Sequence, residues 1–201
     1  HERMAELFAE AGVETPAVLT EGGEFYRAEG RTLEVRHAGG GYHQVSLPEG
    51  VMRFHMTRRT LTPITANNSA SLFALEGDLR LVEFHSKANA LTDESMEIVA
   101  AAAADHGKGI IIHNDAQHFS AGVDLNAFRA YIEAEDWDGI DGFLDRFQKA
   151  VCALKYTPVP VVGAPSGLAA GGGYEVLAHC DRLVVHNNSV MGLVEAGVGV
   201  V

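Results

Sequence analysis

Basic residues, cysteines and long apolar runs are all scarce in this chain of 201 residues. Lys and Arg number 15 against 27 Asp and Glu, so the net charge is −12. A surface of this sign repels phosphate backbones and anionic lipids, which argues against nucleic acid or a membrane as a partner. No stretch of 18 apolar residues occurs, so no transmembrane helix is predicted. A small anionic ligand held by backbone amides and a few local cations stays possible.

The two cysteines and the ten histidines are not arranged as metal sites. Cys152 and Cys180 lie in apolar surroundings without CxxC or zinc spacing, which predicts buried, reduced thiols in a cytoplasmic protein. The histidines are scattered, without HExxH or HxH patterns. We therefore expect no metal.

The chain changes character near residue 70. Residues 2–11 have helical spacing, and residues 24–47 read as short strands with turns at Glu29–Gly30 and Gly39–Gly41. Residues 57–71 are polar and rich in Thr and Asn, which predicts a linker. We therefore expect a segment of a preceding domain or an N-terminal extension over 1–56, a linker over 57–71, and a separate domain over 72–201. The chain begins at His1 and ends on an apolar run, so we expect a piece of a longer protein.

Residues 72–201 alternate between strand and helix patterns. Gly77–Asp78 predicts a hairpin, and Thr92 is a candidate N-cap for a helix ending near His106. The buried-strand pattern GIIIH precedes a long amphipathic helix, whose predicted apolar face is Ile140, Phe143, Leu144, Phe147, Val151 and Leu154. Further strands are predicted at VPVVGAP and at 182–186, with a short helix ending near Cys180 between them. This alternation is typical of an α/β fold.

Two strand-to-helix turns contain small residues where a ligand could approach the backbone. In FSAGVDL (119–125) Ser120 precedes Gly122, and in GLAAGGGYEV (167–176) Gly172 opens a helix. Each turn can offer one backbone N–H to a single oxygen, which predicts an oxyanion hole formed by Ser120 and Gly172. Two acids would lie near it, Glu175 on the short helix and Glu195 flanked by Gly, Val and Ala, and both are candidates for acid–base chemistry.

Other interpretations of these motifs stay open or are excluded by pattern. A glycine run is often only a loop, Asp124 is an ordinary helix cap, and Glu195 could face water from an edge strand. GAPSG is not the GxSxG of a serine hydrolase, and the glycine run has neither P-loop nor GxGxxG spacing.

Taken together, HSKANAL (85–91), FSAGVDL, GLAAGGGYEVLAHCD (167–181) and MGLVEAGVGV (191–200) resemble the crotonase superfamily of enoyl-CoA hydratases and isomerases, over about residues 72–201. The resemblance implies a repeated ββα spiral, C-terminally incomplete here and preceded by a small helix-plus-strands segment. It also implies that the amides of Ser120 and Gly172 polarise an acyl-CoA thioester, with a Cβ at position 172 obstructing the oxygen. The residues that it implies as substrate contacts are Lys87, Ala88, Ala90, Gly122 and Gly171.

The implied reaction is hydration of 2-enoyl-CoA to 3-hydroxyacyl-CoA in fatty-acid β-oxidation. Glu175 would act as base toward the water, and Glu195 would hold the water and supply the proton at Cα. No cofactor is expected beyond the coenzyme A of the substrate. The alternatives are an enoyl-CoA isomerase, another thioester-enolate enzyme, or a non-catalytic acyl-CoA-binding module. We further expect a trimer-based parent protein with a fused or adjacent 3-hydroxyacyl-CoA dehydrogenase.

Overall fold

The computed structural model describes residues 2–20, 23–29, 32–49, 51 and 53–199, which divide into two compact units, His1–Leu61 and Thr62–Val201. The first unit contains helix α1 (Glu2–Glu10) and the short helix α2 (Ala17–Thr20). Its antiparallel sheet has the order β1-β2-β3, and its last helix α3 continues into a 3-10 turn. The bounds are β1 Tyr26–Glu29, β2 Thr32–Arg36, β3 Tyr42–Gln44 and α3 Phe54–Thr57. The helix and strands expected from the sequence are present, and Gly30 of the first predicted turn lies outside the described residues.

The boundary between the units falls inside the segment predicted to be a linker, and that segment carries regular structure. Arg58–Thr60 form the 3-10 turn, strand β4 covers Thr65–Ala66, and strand β5 begins at Ala70. The assignment of residues 1–56 to a preceding domain stays a prediction.

The second unit is built on a six-stranded sheet of the order β10-β8-β7-β6-β5-β4. β4 and β5 pair antiparallel with their neighbours, whereas β6, β7, β8 and β10 run parallel. Gly77 and Asp78 take φ of +78° and +63° between β5 and β6, which confirms the predicted hairpin. The strands are β5 Ala70–Leu75, β6 Leu79–Phe84, β7 Gly109–His113, β8 Val161–Ala164, β9 Leu168–Ala170, β10 Arg182–Leu183 and β11 Val190–Gly192.

Helices cover this sheet and enclose its core. α4 (Asp93–Ala104) begins at a Thr92 capping box, and α6 (Trp137–Lys155) packs on α4. The predicted face of α6 is largely correct, since Phe143, Phe147, Val151 and Leu154 are buried, but Leu144 is exposed. The remaining helices are α5 Leu125–Glu133, α7 Gly172–Ala178 and α8 Glu195–Val198. Among the described residues, no helix is long and apolar enough to cross a membrane.

A small second layer lies beyond the main sheet. β9 pairs parallel with β11, and isolated parallel bridges join Ser120 to Ala169 and Leu91 to Val123. This layer binds together the loops that follow the parallel strands of the main sheet. This mixed α/β architecture matches the α/β fold class expected from the sequence.

The cysteines depart from the expectation of buried thiols. Cys152 is exposed on α6, and Cys180 is half-buried after α7. Helix α6 turns Phe147 and Val151 inward, so the residue next to Val151 points away from the core.

Candidate active site

The sequence motifs meet at one edge of the main sheet because each follows a parallel strand. HSKANAL comes after β6, FSAGVDL after β7, and the glycine run after β8. Ligand sites of parallel sheets lie at the carboxyl ends of the strands. The loops are also bonded to each other, since Asn89 Nδ2 donates to the His118 carbonyl at 2.8 Å and the Ala121 N–H to the Ala88 carbonyl at 3.2 Å.

Asn114 braces this edge from inside, a role that sequence reasoning missed. Its side chain is buried, accepts a hydrogen bond from the Phe84 N–H at 2.6 Å and donates to the Phe119 carbonyl at 2.5 Å. The amide thus ties the end of β6 to the FSAGVDL turn. The sequence does contain a signal for this role, since a polar residue directly follows the buried strand GIIIH. A buried side-chain amide needs hydrogen-bond partners for both its oxygen and its nitrogen.

The backbone N–H of Ser120 is not free to bind a ligand oxygen. It donates to the Leu168 carbonyl at 3.0 Å, and the Ala170 N–H returns a bond to the Ser120 carbonyl at 3.1 Å. These two bonds form the bridge between Ser120 and Ala169. The expected role of Ser120 as an oxyanion donor is therefore corrected: its amide is used to hold the second layer together.

The backbone N–H of Val123, unlike that of Ser120, lacks an acceptor among the described residues. The Leu91 N–H donates to the Gly122 carbonyl, and the Asp124 N–H donates to the Leu91 carbonyl. Val123 lies between these two residues, so in this parallel pairing its own N–H points away from Leu91. Within the part of the chain that the structure describes, neither the Val123 N–H nor the Gly172 N–H donates a hydrogen bond. Gly172 is the first residue of α7, where backbone N–H groups lack intrahelical acceptors.

The three glycines are required by three different neighbours. A Cβ at Gly172 would lie 2.9 Å from Val123 Cγ2 and 3.3 Å from Phe147 Cζ. A Cβ at Gly173 would lie 2.7 Å from Ser120 Cβ. Gly171 has a φ of +49°, and a Cβ there would lie 2.9 Å from Glu195 Oε1. The run therefore brings α7 close to the FSAGVDL turn and to Glu195 at once.

The two candidate acids lie around the first turn of α7. Glu195 is half-buried at the start of α8, and its Oε2 accepts a hydrogen bond from the Val194 N–H at 2.7 Å. Glu175 is exposed on α7, one turn after Gly171. Although the residue is exposed overall, its carboxyl group is partly enclosed. This enclosure and, second, the negative charge of Glu195 raise the pKa of Glu175, whereas His179 lowers it. A carboxyl group with a raised pKa is a stronger base when ionised.

Glu175 borders a cavity of about 180 Å³ between α6 and α7. The cavity wall combines apolar side chains with a few polar groups, namely Phe147, Gln148, Val151, Cys152, Glu175 and His179. Phe147 also lies at contact distance from the position of a Cβ on Gly172. The cavity therefore begins beside the glycine turn and provides a partly apolar space next to the carboxyl group of Glu175, whose pKa is raised.

The predicted substrate contacts lie on the loop after β6 and in the two turns. Lys87 and Ala88 are exposed, and Ala88 adopts a φ of +55° inside a 3-10 turn. Ala90 is half-buried and its carbonyl accepts from Ser86 Oγ at 2.6 Å. Gly122 is buried with a φ of +94°, against the Ala170 carbonyl.

Comparisons with known proteins identify the family. The family described as enoyl-CoA hydratase/isomerase matches residues 79–201. A probable 3-hydroxyacyl-CoA dehydrogenase of Bacillus subtilis is 31% identical over 209 residues, covering 99% of this chain and 26% of that protein. A probable enoyl-CoA hydratase of the same organism is 29% identical, covering 67% of this chain and 53% of its own length.

Solved structures share the fold. An enoyl-CoA hydratase/carnithine racemase from Magnetospirillum magneticum has a TM-score of 0.61 at 21% identity, covering 68% of this chain and 53% of that one. Pseudomonas aeruginosa DspI has a TM-score of 0.60 at 25% identity, with the same coverage. The chain thus spans between a quarter and about half of the length of these relatives. With its motifs gathered at one sheet edge, the chain belongs to the enoyl-CoA hydratase/isomerase family.

Proposed function

We propose that this chain carries the hydration site of an enoyl-CoA hydratase that adds water across the double bond of a 2-enoyl-CoA. The observation that carries the proposal is the grouping of two acids, Glu175 and Glu195, around a turn whose backbone amide at Gly172 has no acceptor among the described residues. Conjugate addition of water needs a base, a proton source and stabilisation of a developing enolate, and this grouping contains groups suited to all three.

In the proposed mechanism the thioester oxygen binds the amides of Gly172 and Val123. Val123 replaces Ser120 as the second donor because the Ser120 N–H is already bonded to Leu168. One such donor contributes about 10²–10³ in rate. Charge that develops on the oxygen would meet two fixed N–H dipoles without reorganisation of the loops.

Glu175 then takes a proton from water as the water oxygen bonds to Cβ of the substrate. Glu195, in its protonated form, holds the water and gives its proton to Cα, so the double bond is lost and no redox change occurs. The proton taken by Glu175 then passes to Glu195, which restores both groups, so water supplies both added hydrogens overall. Lys87, Ala88 and Ala90, together with Gly122 and Gly171, are proposed to contact the coenzyme A and thioester parts of the substrate.

A dehydrogenase partner follows from the product. Hydration yields a 3-hydroxyacyl-CoA. The Bacillus subtilis relative is named a probable 3-hydroxyacyl-CoA dehydrogenase, and two Rickettsia relatives are named putative trifunctional enzymes of a fatty acid oxidation complex. We propose that the hydratase site operates beside such a dehydrogenase in β-oxidation. A cytoplasmic location and a trimer-based parent protein are parts of the same proposal.

The test is an assay of crotonyl-CoA hydration, in which the decrease in the absorbance of the enoyl thioester measures the rate. Glu175→Gln and Glu195→Gln should each lower kcat by about 10²–10⁴, with little change in acyl-CoA binding. The losses should not add, because both residues act on one water and one proton. Glu97→Gln, on an exposed face of α4, is the matched control.

Other outcomes would redirect the proposal. Activity that survives Glu175→Gln but not Glu195→Gln would indicate one acid that shuttles a proton, as in an enoyl-CoA isomerase. If both variants kept full activity, the acids would have no catalytic role. Acyl-CoA binding without turnover by the unaltered chain would favour a binding module.

A further inference from the structure

His179 shares the cavity of Glu175 but has no role in the proposed hydration. Glu175 lies on α7 and His179, four residues later, is the C-cap residue of that helix, so their side chains lie close to the same side of it. Both border the space between α6 and α7, and His179 is half-buried there. A histidine at this place is a second ionisable group beside the proposed base.

The ring of His179 is held in a way that allows it to gain a proton. Its Nδ1 lies 2.7 Å from the carbonyl oxygen of Glu175, and because a carbonyl only accepts, Nδ1 carries the hydrogen. The remaining nitrogen, Nε2, can then be protonated without breaking that bond. His118 differs, because its Nδ1 accepts from the Leu168 N–H at 3.2 Å.

Few other charges face this pair. Across the cavity, α6 contributes Cys152 and the uncharged Gln148. Glu195 acts on Glu175 from α8, and Asp181 beyond α7 is engaged by the Val161 N–H at 2.8 Å. Cys180 donates its thiol hydrogen to the Val176 carbonyl. Among the described groups around the cavity, His179 is thus the side chain able to supply positive charge.

We propose that His179 is a positioning residue that acts through Glu175: as an imidazolium it keeps the neighbouring carboxylate ionised at the partly apolar wall of the cavity. This inference rests on the proposed function for its catalytic consequence. Its electrostatic part concerns the two side chains alone. The opposing influence of His179 on the pKa of Glu175 agrees with it.

The experiment compares His179→Gln and His179→Lys with the unaltered chain. Gln removes the charge and Lys supplies one that persists at neutral pH. The first readout is the pH profile of kcat/KM for crotonyl-CoA hydration. We expect His179→Gln to move the acid limb upward by about 0.5–1 pH unit, below the 1–3 units of close, unscreened pairs. His179→Lys should move it back, and KM should change little.

His106→Gln is the matched control. His106 is also half-buried and bonded through Nδ1 to a backbone carbonyl, that of Gly107 at 2.8 Å, but it precedes β7 at the opposite edge of the sheet. A profile for His179→Gln that superimposes on that of the unaltered chain, or that moves no more than the control, would overturn the proposal.

A second readout does not depend on turnover. The ¹³C resonance of the Glu175 carboxyl, assigned by its loss in Glu175→Gln, should titrate at higher pH in His179→Gln than in the unaltered chain. An unchanged titration would refute the role of His179 even in an active enzyme. Full activity of Glu175→Gln would instead refute the proposed function, while the carboxyl titration would still decide the electrostatic claim.

Discussion

Replacing Gly172 with alanine tests whether the close approach of α7 to the FSAGVDL turn is real. The added Cβ would lie 2.9 Å from Val123 Cγ2, closer than carbon atoms pack, and 3.3 Å from Phe147 Cζ. Phe147 is buried and Val123 is half-buried, so neither side chain can swing into solvent at low cost. Overpacking of this kind destabilises a folded protein by about 1–3 kcal/mol. For a unit of this size that corresponds to a fall in Tm of roughly 3–10 °C.

The assay is thermal unfolding followed by circular dichroism, with crotonyl-CoA hydration measured on the same samples. Val123→Ala removes the atom nearest to the added methyl group, so the double variant should regain much of the lost Tm. Gly197→Ala is the matched control, because a Cβ at Gly197 meets nothing within 4 Å and alanine favours a helix. A Gly172→Ala protein as stable as the Gly197→Ala protein would refute the packing argument.

The activity of the double variant separates packing from ligand approach. If Gly172 is needed only because its neighbours are close, activity should return together with stability. If the missing Cβ also clears the path of a thioester oxygen to the Gly172 N–H, stability should return while kcat stays low. The proposed function expects the second result.

Three further outcomes are expected from the described contacts. Asn114→Ala should lower the free energy of unfolding by about 2–4 kcal/mol in chemical denaturation, because it leaves the buried Phe84 N–H and Phe119 carbonyl without their partner; a loss under 0.5 kcal/mol would contradict the brace. A thiol reagent at pH 8 should modify exposed Cys152 well before Cys180, whose pKa burial raises to about 12, as peptide mass spectrometry can follow. Because the pKa of Glu175 is raised, the folded chain binds the proton of this carboxyl group more tightly than the unfolded chain does, and the stability it contributes falls as pH rises from the ordinary pKa through the raised one. Glu175→Gln should therefore raise Tm more at pH 7.5 than at pH 4. An equal change in Tm at both pH values would count against the raised pKa.

Several helices and strands of the second unit could be predicted from the sequence, and so could the grouping of its motifs. The strand GIIIH matches β7, the Thr92 cap starts α4, and Gly77–Asp78 form the hairpin turn. Each of these signals is local: a period of apolar residues, a capping side chain or a glycine at positive φ. The motifs after β6, β7 and β8 could be grouped because parallel strands end at one edge.

Which backbone amides are left without an acceptor at the candidate site depends on the three-dimensional fold. Ser120 and Val123 are three residues apart in one turn, and nothing in FSAGVDL distinguishes their amides. Pairing with Leu168 and Leu91, more than 30 residues away in each direction, uses the Ser120 N–H and leaves that of Val123. The hydrogen-bond partners of Asn114 and His179 and the exposure of Cys152 were hidden for the same reason. Hydrogen bonds and exposure depend on partners from distant parts of the chain, whose positions a local pattern does not contain.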